Sequence, residues 1–129
     1  VADTKDADKA TQLLAVGFGL TEAGRSEVKR KVALWVACTS CAGKSDSTKY
    51  GCHPSLELVA GGGGYDTCKG DSGGPYYLQV GGEWFLVGAT SRATKSRTKR
   101  CGDGGIAVRV DKYMPWIRAA AQEKGGIIE

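Results

Sequence analysis

Apolar residues along this chain come in short bursts separated by polar or glycine-rich stretches. LLAVGFG, residues 13–19, is the first, a short strand that ends in a glycine turn. EVKRKVALWV, 27–36, places Val32, Leu34 and Val36 on one face of an extended segment. CTSCAGKSDSTKYGC, 38–52, reads as a loop, and SLELVA, 55–60, returns to strand. GGGG, 61–64, is a loop that must bend sharply or lie close to something. PYYLQV and EWFLVGA flank Gly81-Gly82, a strong hairpin signal. GIAVRV, 105–110, is another short strand. The end of the chain differs. YMPWIRAAAQEKGG predicts a closing helix over about 114–124, with Pro115 in its first turn and Gly125 as its stop. Residues 1–11 read as a tether and 12–129 as one folded unit, without internal repeats. About six short strands and one helix predict an all-β sandwich or barrel.

Composition narrows the class. At 129 residues the chain is one domain or a piece of one, and its 41% apolar content argues against both disorder and a membrane protein. No apolar run approaches the roughly 20 residues of a membrane span. VADTKDADKATQ is charged and polar rather than leader-like, as the start of a secreted chain is once its leader has been removed. Twenty glycines are more than double the usual share of about 7%, so turns and close backbone approaches are expected. The net charge of +4 concentrates in SRATKSRTKR, 91–100, which holds five basic residues and no acid. No aromatic residue interleaves with these charges, so a solvated loop is preferred over a nucleic-acid face. Five cysteines favour an oxidising compartment, and the odd number leaves one unpaired, externally paired or bound to metal.

The chemistry-bearing stretch is YDTCKGDSGGP, 65–75. A serine hydroxyl is a weak nucleophile until a base takes its proton, and acyl transfer needs donors aimed at the developing oxyanion. In Gly70-Asp71-Ser72-Gly73-Gly74 the missing β-carbon of Gly70 lets its N–H approach a carbonyl. The N–H of Ser72 can point the same way, and Gly73 and Gly74 leave the hydroxyl uncrowded. The bland alternative for five such residues is a plain turn.

Together with GGI at 104–106 and YMPWI at 113–117, this stretch resembles the chymotrypsin family of serine proteases, in order from about Leu13 to Ile117. The resemblance implies that family's second Greek-key antiparallel β-barrel with its C-terminal helix. It implies Ser72 as nucleophile and the Gly70 and Ser72 amides as the oxyanion hole. It implies Asp71 as a buried carboxylate that pairs with a freed N-terminal amine, and a Cys68–Cys101 disulfide framing the specificity pocket. Asp66 takes the place of the acid at the pocket base of trypsin-like members. A carboxylate in a dry slot prefers a cationic guest, so cleavage after Arg or Lys in protein or peptide substrates is expected. Thr67 is small and polar as in those members, Ser91 fits the substrate-pairing strand, and Gly105 leaves the pocket wall open.

The departures are equally informative. The family takes its histidine and aspartate from a first barrel that this sequence lacks. The single histidine, His53, precedes LELVA, far from where the base belongs. The expectation is a two-chain, secreted, disulfide-containing enzyme whose first-barrel chain supplies the base. Arg92 stands where the family has an aromatic, which favours acidic residues upstream of the cut. Ala93 replaces a glycine and narrows the pocket entrance. Leu13 and Leu78 occupy positions the family joins by a disulfide and can pack instead, and Val59 also replaces a cysteine. Among Cys38, Cys41 and Cys52, one bridge to Cys52 is the plain reading. The rival is zinc on those three thiols and His53, set aside because adjacent ligands strain a tetrahedral site. No cofactor, metal, membrane or nucleic-acid partner is expected. The competing function is a non-catalytic, protease-like binding module.

Overall fold

The structure, a computed structural model, describes residues 8, 10–19, 28–98 and 101–126. Most of the tether expected over 1–11 lies outside these residues, as do Lys99 and Arg100 of the basic loop. Six strands follow in order: β1 (Gln12–Gly17), β2 (Arg30–Cys38), β3 (Glu57–Ala60), β4 (Pro75–Val80), β5 (Glu83–Ala93) and β6 (Gly105–Arg109). They close into an antiparallel barrel in the order β1-β2-β3-β6-β5-β4, a Greek-key connection. Gly81 and Gly82 both have positive φ, 58° and 83°, as the tight β4–β5 turn requires.

Period-two alternation builds the core. Leu13 and Ala15, Leu34, Leu58 and Ala60, Tyr76 and Leu78, Val87 and Ala107 form one buried cluster to which every strand contributes. Leu13 and Leu78 are both members of it. Burying a side chain of this size stabilises by roughly 1.5–3 kcal/mol. The alternation also turns Trp35 outward, 65% exposed beside the fully buried Leu34. β3 is buried on both faces, because Val59 packs with Ile106, Cys41 and Cys52 under the 38–52 segment.

Two elements differ from the sequence expectation. The 38–52 stretch holds a helix, α1 (Gly43–Tyr50), in place of a loop. None of its residues is buried, so it has no apolar face to announce it. It is held from its ends: a Cys41–Cys52 disulfide brackets it, the Gly51 N–H donates to the Ser47 carbonyl at 2.9 Å, and the Tyr50 carbonyl accepts from the Lys95 N–H at 2.8 Å. The closing helix, α2 (Val110–Glu123), starts four residues earlier than expected, because β6 runs straight into it. Pro115 therefore lies inside the helix and removes one of its hydrogen bonds.

A buried arginine fastens that junction. Arg109, 0% exposed, donates from Nε and Nη2 to Asp111 (3.1 and 2.8 Å) and from Nη1 to Asp8 (2.6 Å) and the Thr39 carbonyl (2.9 Å). Among the described residues no helix is long and apolar enough to cross a membrane.

Candidate active site

The connection from β3 to β4 carries the glycine-rich serine. Asp71 organises it. Its Oδ1 accepts from the Gly19 N–H and its Oδ2 from the Cys68 N–H, both at 2.8 Å, which ties the loop to the end of β1. A β-carbon on Gly19 would lie 2.5 Å from the Asp71 carboxyl carbon, so glycine is needed for this approach. Asp71 is half-buried here.

The loop then spends its backbone donors selectively. Asp71 N–H donates to the Cys68 carbonyl, Gly73 N–H to Thr90 and Gly74 N–H to Asp71, at 2.7–3.0 Å. Among the described residues no hydrogen bond uses the N–H of Gly70 or Ser72. Gly70 has φ 98°, open to glycine at little cost. The serine's own N–H and that of Gly70, two residues earlier, are thus unspent beside an exposed hydroxyl, whose Oγ makes only a long 3.5 Å contact with the Ser91 carbonyl.

Ser72 sits on the wall of a cavity of about 620 Å³ that also takes in Asp66, Thr67, Ser91, Ala93 and Gly105. Asp66 is held by neutral donors alone: Thr67 N–H to Oδ1 at 2.8 Å, Gly102 and Gly104 N–H to Oδ2 at 3.1 Å each. Burial pushes its carboxyl above the ordinary range, against the pull of those three N–H groups, and Asp103 adds repulsion. Among the described residues no cation pairs with it. A β-carbon on Gly105 would stand 3.2 Å from both Asp66 Oδ1 and Thr67 Oγ1, so a larger residue would fill the space above the acid. The Cys68–Cys101 disulfide joins the two loops that form this end of the cavity. Thr67 Oγ1 also lies 3.4 Å from the hydroxyl of the buried Tyr76.

β5 outruns its neighbour. β4 pairs with it only from Glu83 to Ala89, and two loop hydrogen bonds between Thr90 and Gly73-Gly74 extend the match by one residue. Ser91–Ala93 therefore keep one strand edge open beside Ser72. An extended peptide can add there by main-chain hydrogen bonds.

The structure parts with the sequence reading at Arg92. Its Nη1 donates to Glu57 Oε2 (2.6 Å), and its Nη2 to Glu57 Oε1 (2.9 Å) and the Gly51 carbonyl (2.8 Å). The guanidinium is engaged within the protein and is not free for an acidic substrate residue. Burial alone would raise the Glu57 carboxyl, but Arg92 and the His53 N–H outweigh it and hold the group below its usual range. Sequence reasoning missed Glu57. Its signal was an acid inside the apolar run LELVA, a place that demands a partner.

His53 is exposed and is not among the cavity residues. Cys38, Cys41 and Cys52 do converge, with all three sulfurs within 4.8 Å. Cys41 and Cys52 are bridged, and Cys38 stays a thiol that accepts the Cys41 N–H at 2.9 Å.

Comparison with known proteins fits this geometry. The trypsin family model matches residues 2–117. Among curated relatives, CLIP domain-containing serine protease B4 of Anopheles gambiae is 36% identical over 109 residues, covering 81% of this chain and 29% of the relative. CLIP domain-containing serine protease B14 of the same organism is 33% identical over 117 residues, covering 85% and 31%. Vitamin K-dependent protein C of Oryctolagus cuniculus is 40% identical over 62 residues, covering 46% and 12%. The chain spans less than a third of the length of each. A closed six-stranded barrel, a closing helix and these matches together place the chain in the trypsin, or chymotrypsin, family of serine proteases.

Proposed function

We propose that this chain is the nucleophile-bearing half of a trypsin-like serine endopeptidase that cleaves after Arg or Lys. The observation that carries the reading is one cavity with an exposed serine, the unspent N–H donors of that serine and of Gly70 on the same loop, and a carboxylate that no cation pairs with among the described residues. Ser72 attacks the scissile carbonyl, and the Gly70 and Ser72 amides receive the oxyanion. The C–N bond then breaks and the amine half leaves with a proton returned by the first barrel's histidine, and water hydrolyses the acyl-enzyme to release the acid and restore Ser72. Asp66 receives the basic side chain, and Ser91–Ala93 align the substrate backbone. A first-barrel chain or domain supplies the histidine and aspartate, since His53 lies elsewhere. Two disulfides fit an extracellular or otherwise oxidising location.

A fluorophosphonate probe tests this on the full-length protein. Labelling is expected at Ser72, lost in Ser72→Ala, together with hydrolysis of Arg and Lys esters. A protein that contains both barrels yet neither labels nor hydrolyses would be a protease-like binding module instead.

A further inference from the structure

The cavity at Ser72 has opposite charges at different depths. Asp66 is the one acid among its lining residues, whereas Lys69, Arg92 and Arg97 are all basic. Arg92 is balanced by Glu57. Lys69 and Arg97 are exposed, and among the described residues neither has an acidic partner. They approach the cavity from different segments, Lys69 from the serine loop and Arg97 from the β5–β6 connection.

Arg97 does not hang on a loose tether. The Lys95 N–H is fixed to the Tyr50 carbonyl at 2.8 Å, and the Arg97 N–H donates to the Thr94 carbonyl at 3.3 Å. Thr98 donates from both N and Oγ1 to Asp103 Oδ2, at 2.6 and 2.9 Å. A charge on an anchored backbone loses less freedom when it meets a partner. The result is an uncompensated acid in the depth of the cavity and two uncompensated cations toward solvent.

We propose that Lys69 and Arg97 select substrates in which the basic residue entering the cavity is flanked by acidic side chains. The inference rests on the protease reading above and deepens it. A basic residue alone satisfies Asp66. A basic residue among acids satisfies Asp66, Lys69 and Arg97 together, and the attraction steers the encounter as well as the bound pose.

The test separates the two readings. Fluorescent peptides with one central Arg, flanked by neutral or by acidic residues, are titrated by anisotropy into the full-length Ser72→Ala protein. Exposed ion pairs contribute about 0.2–1 kcal/mol each, so two should tighten the acid-flanked peptide roughly twofold to thirtyfold. That advantage should collapse between low and high salt, because solvent-exposed charges are screened. The Lys69→Glu/Arg97→Glu pair should invert the preference, and Lys112→Glu, outside the cavity, should preserve it. Equal affinities at low salt in the unreversed protein overturn the proposal, and so does a preference that ignores salt. Cleavage of the neutral-flanked peptide by the Ser72 protein reports on the protease reading alone. If nothing is cleaved, the anisotropy comparison still decides whether the rim selects acids.

Discussion

Glu57, on β3, and Asp66, on the loop from β3 to β4, are two carboxylates of one small barrel domain, and they have opposite environments. Glu57 is buried with a resident cation: Arg92 meets both of its oxygens, and its carboxyl is held below the usual range. Asp66 has three backbone N–H groups, no cation among the described residues, and a carboxyl pushed up by burial. Hydrogen bonds from neutral amides satisfy lone pairs but leave the charge uncompensated. Glu57 is therefore complete within the protein. Asp66, in our reading, is completed by the substrate. In our reading, an enclosed acid with its counter-charge in place is structural, whereas a half-buried acid that no cation pairs with among the described residues is the one a ligand completes.

The largest expected effect comes from removing the incomplete acid. Asp66→Ser should lower kcat/KM for Arg substrates about a thousandfold, the scale of breaking a buried ion pair, while fluorophosphonate labelling of Ser72 persists. Undiminished Arg cleavage would erase the distinction between the two acids. Glu57→Gln should act on the fold instead. It strands Arg92 against a neutral partner and should cost about 2 kcal/mol in urea unfolding, less than a fully buried pair because Arg92 is partly in water. Adding Arg92→Met should recover most of that loss; no recovery would show that the pair is not the reason Glu57 is tolerated.

A smaller effect is expected at Gly105→Ala. The new methyl crowds Asp66 and Thr67 and should reduce Arg cleavage severalfold more than Lys cleavage, about 1 kcal/mol of differential fit. The subtlest test is pH. Because the Asp66 carboxyl is raised, its contribution to stability is full below the ordinary carboxylate range and declines as pH rises through the raised value. Cation binding runs the other way, since only the ionised form attracts it. Benzamidine affinity should therefore climb with pH, with a midpoint above the ordinary aspartate range. Glu57 has the reverse sign: its stabilisation is present above the ordinary range and is lost as pH falls through its lowered value.

The six strands and the Gly81-Gly82 hairpin were legible because side-chain alternation and turn chemistry are local. So was the serine loop, whose glycines answer to needs within a few residues of Ser72. Helix α1 was not legible, since a disulfide and loop contacts hold a segment without an apolar face. The partnership of Glu57 with Arg92 spans 35 positions, and no local pattern points from one to the other. Charged residues inside LELVA and GIAVRV were the available warning. Glu57 and Arg109 are both buried there; Glu57 has drawn its cation from a distant strand, and Arg109 is met by the nearby Asp111 and by Asp8 from far along the chain.

Barrel closure also governs how this chain behaves toward its neighbours in solution. Sheet proteins with free edges are prone to recruit foreign strands and to grow into aggregates. Here β1 is satisfied by β2 and β4, and β3 by β2 and β6. One interruption in that protection is the overhang of β5 at Ser91–Ala93, beside Ser72; the Arg30–Leu34 stretch of β2 also has no partner on its β3 side among the described residues. Colloidal safety and recognition thus draw on the same few unpaired amides. A proline or a bulge placed there to suppress self-association would close the edge at which, in our reading, a substrate docks.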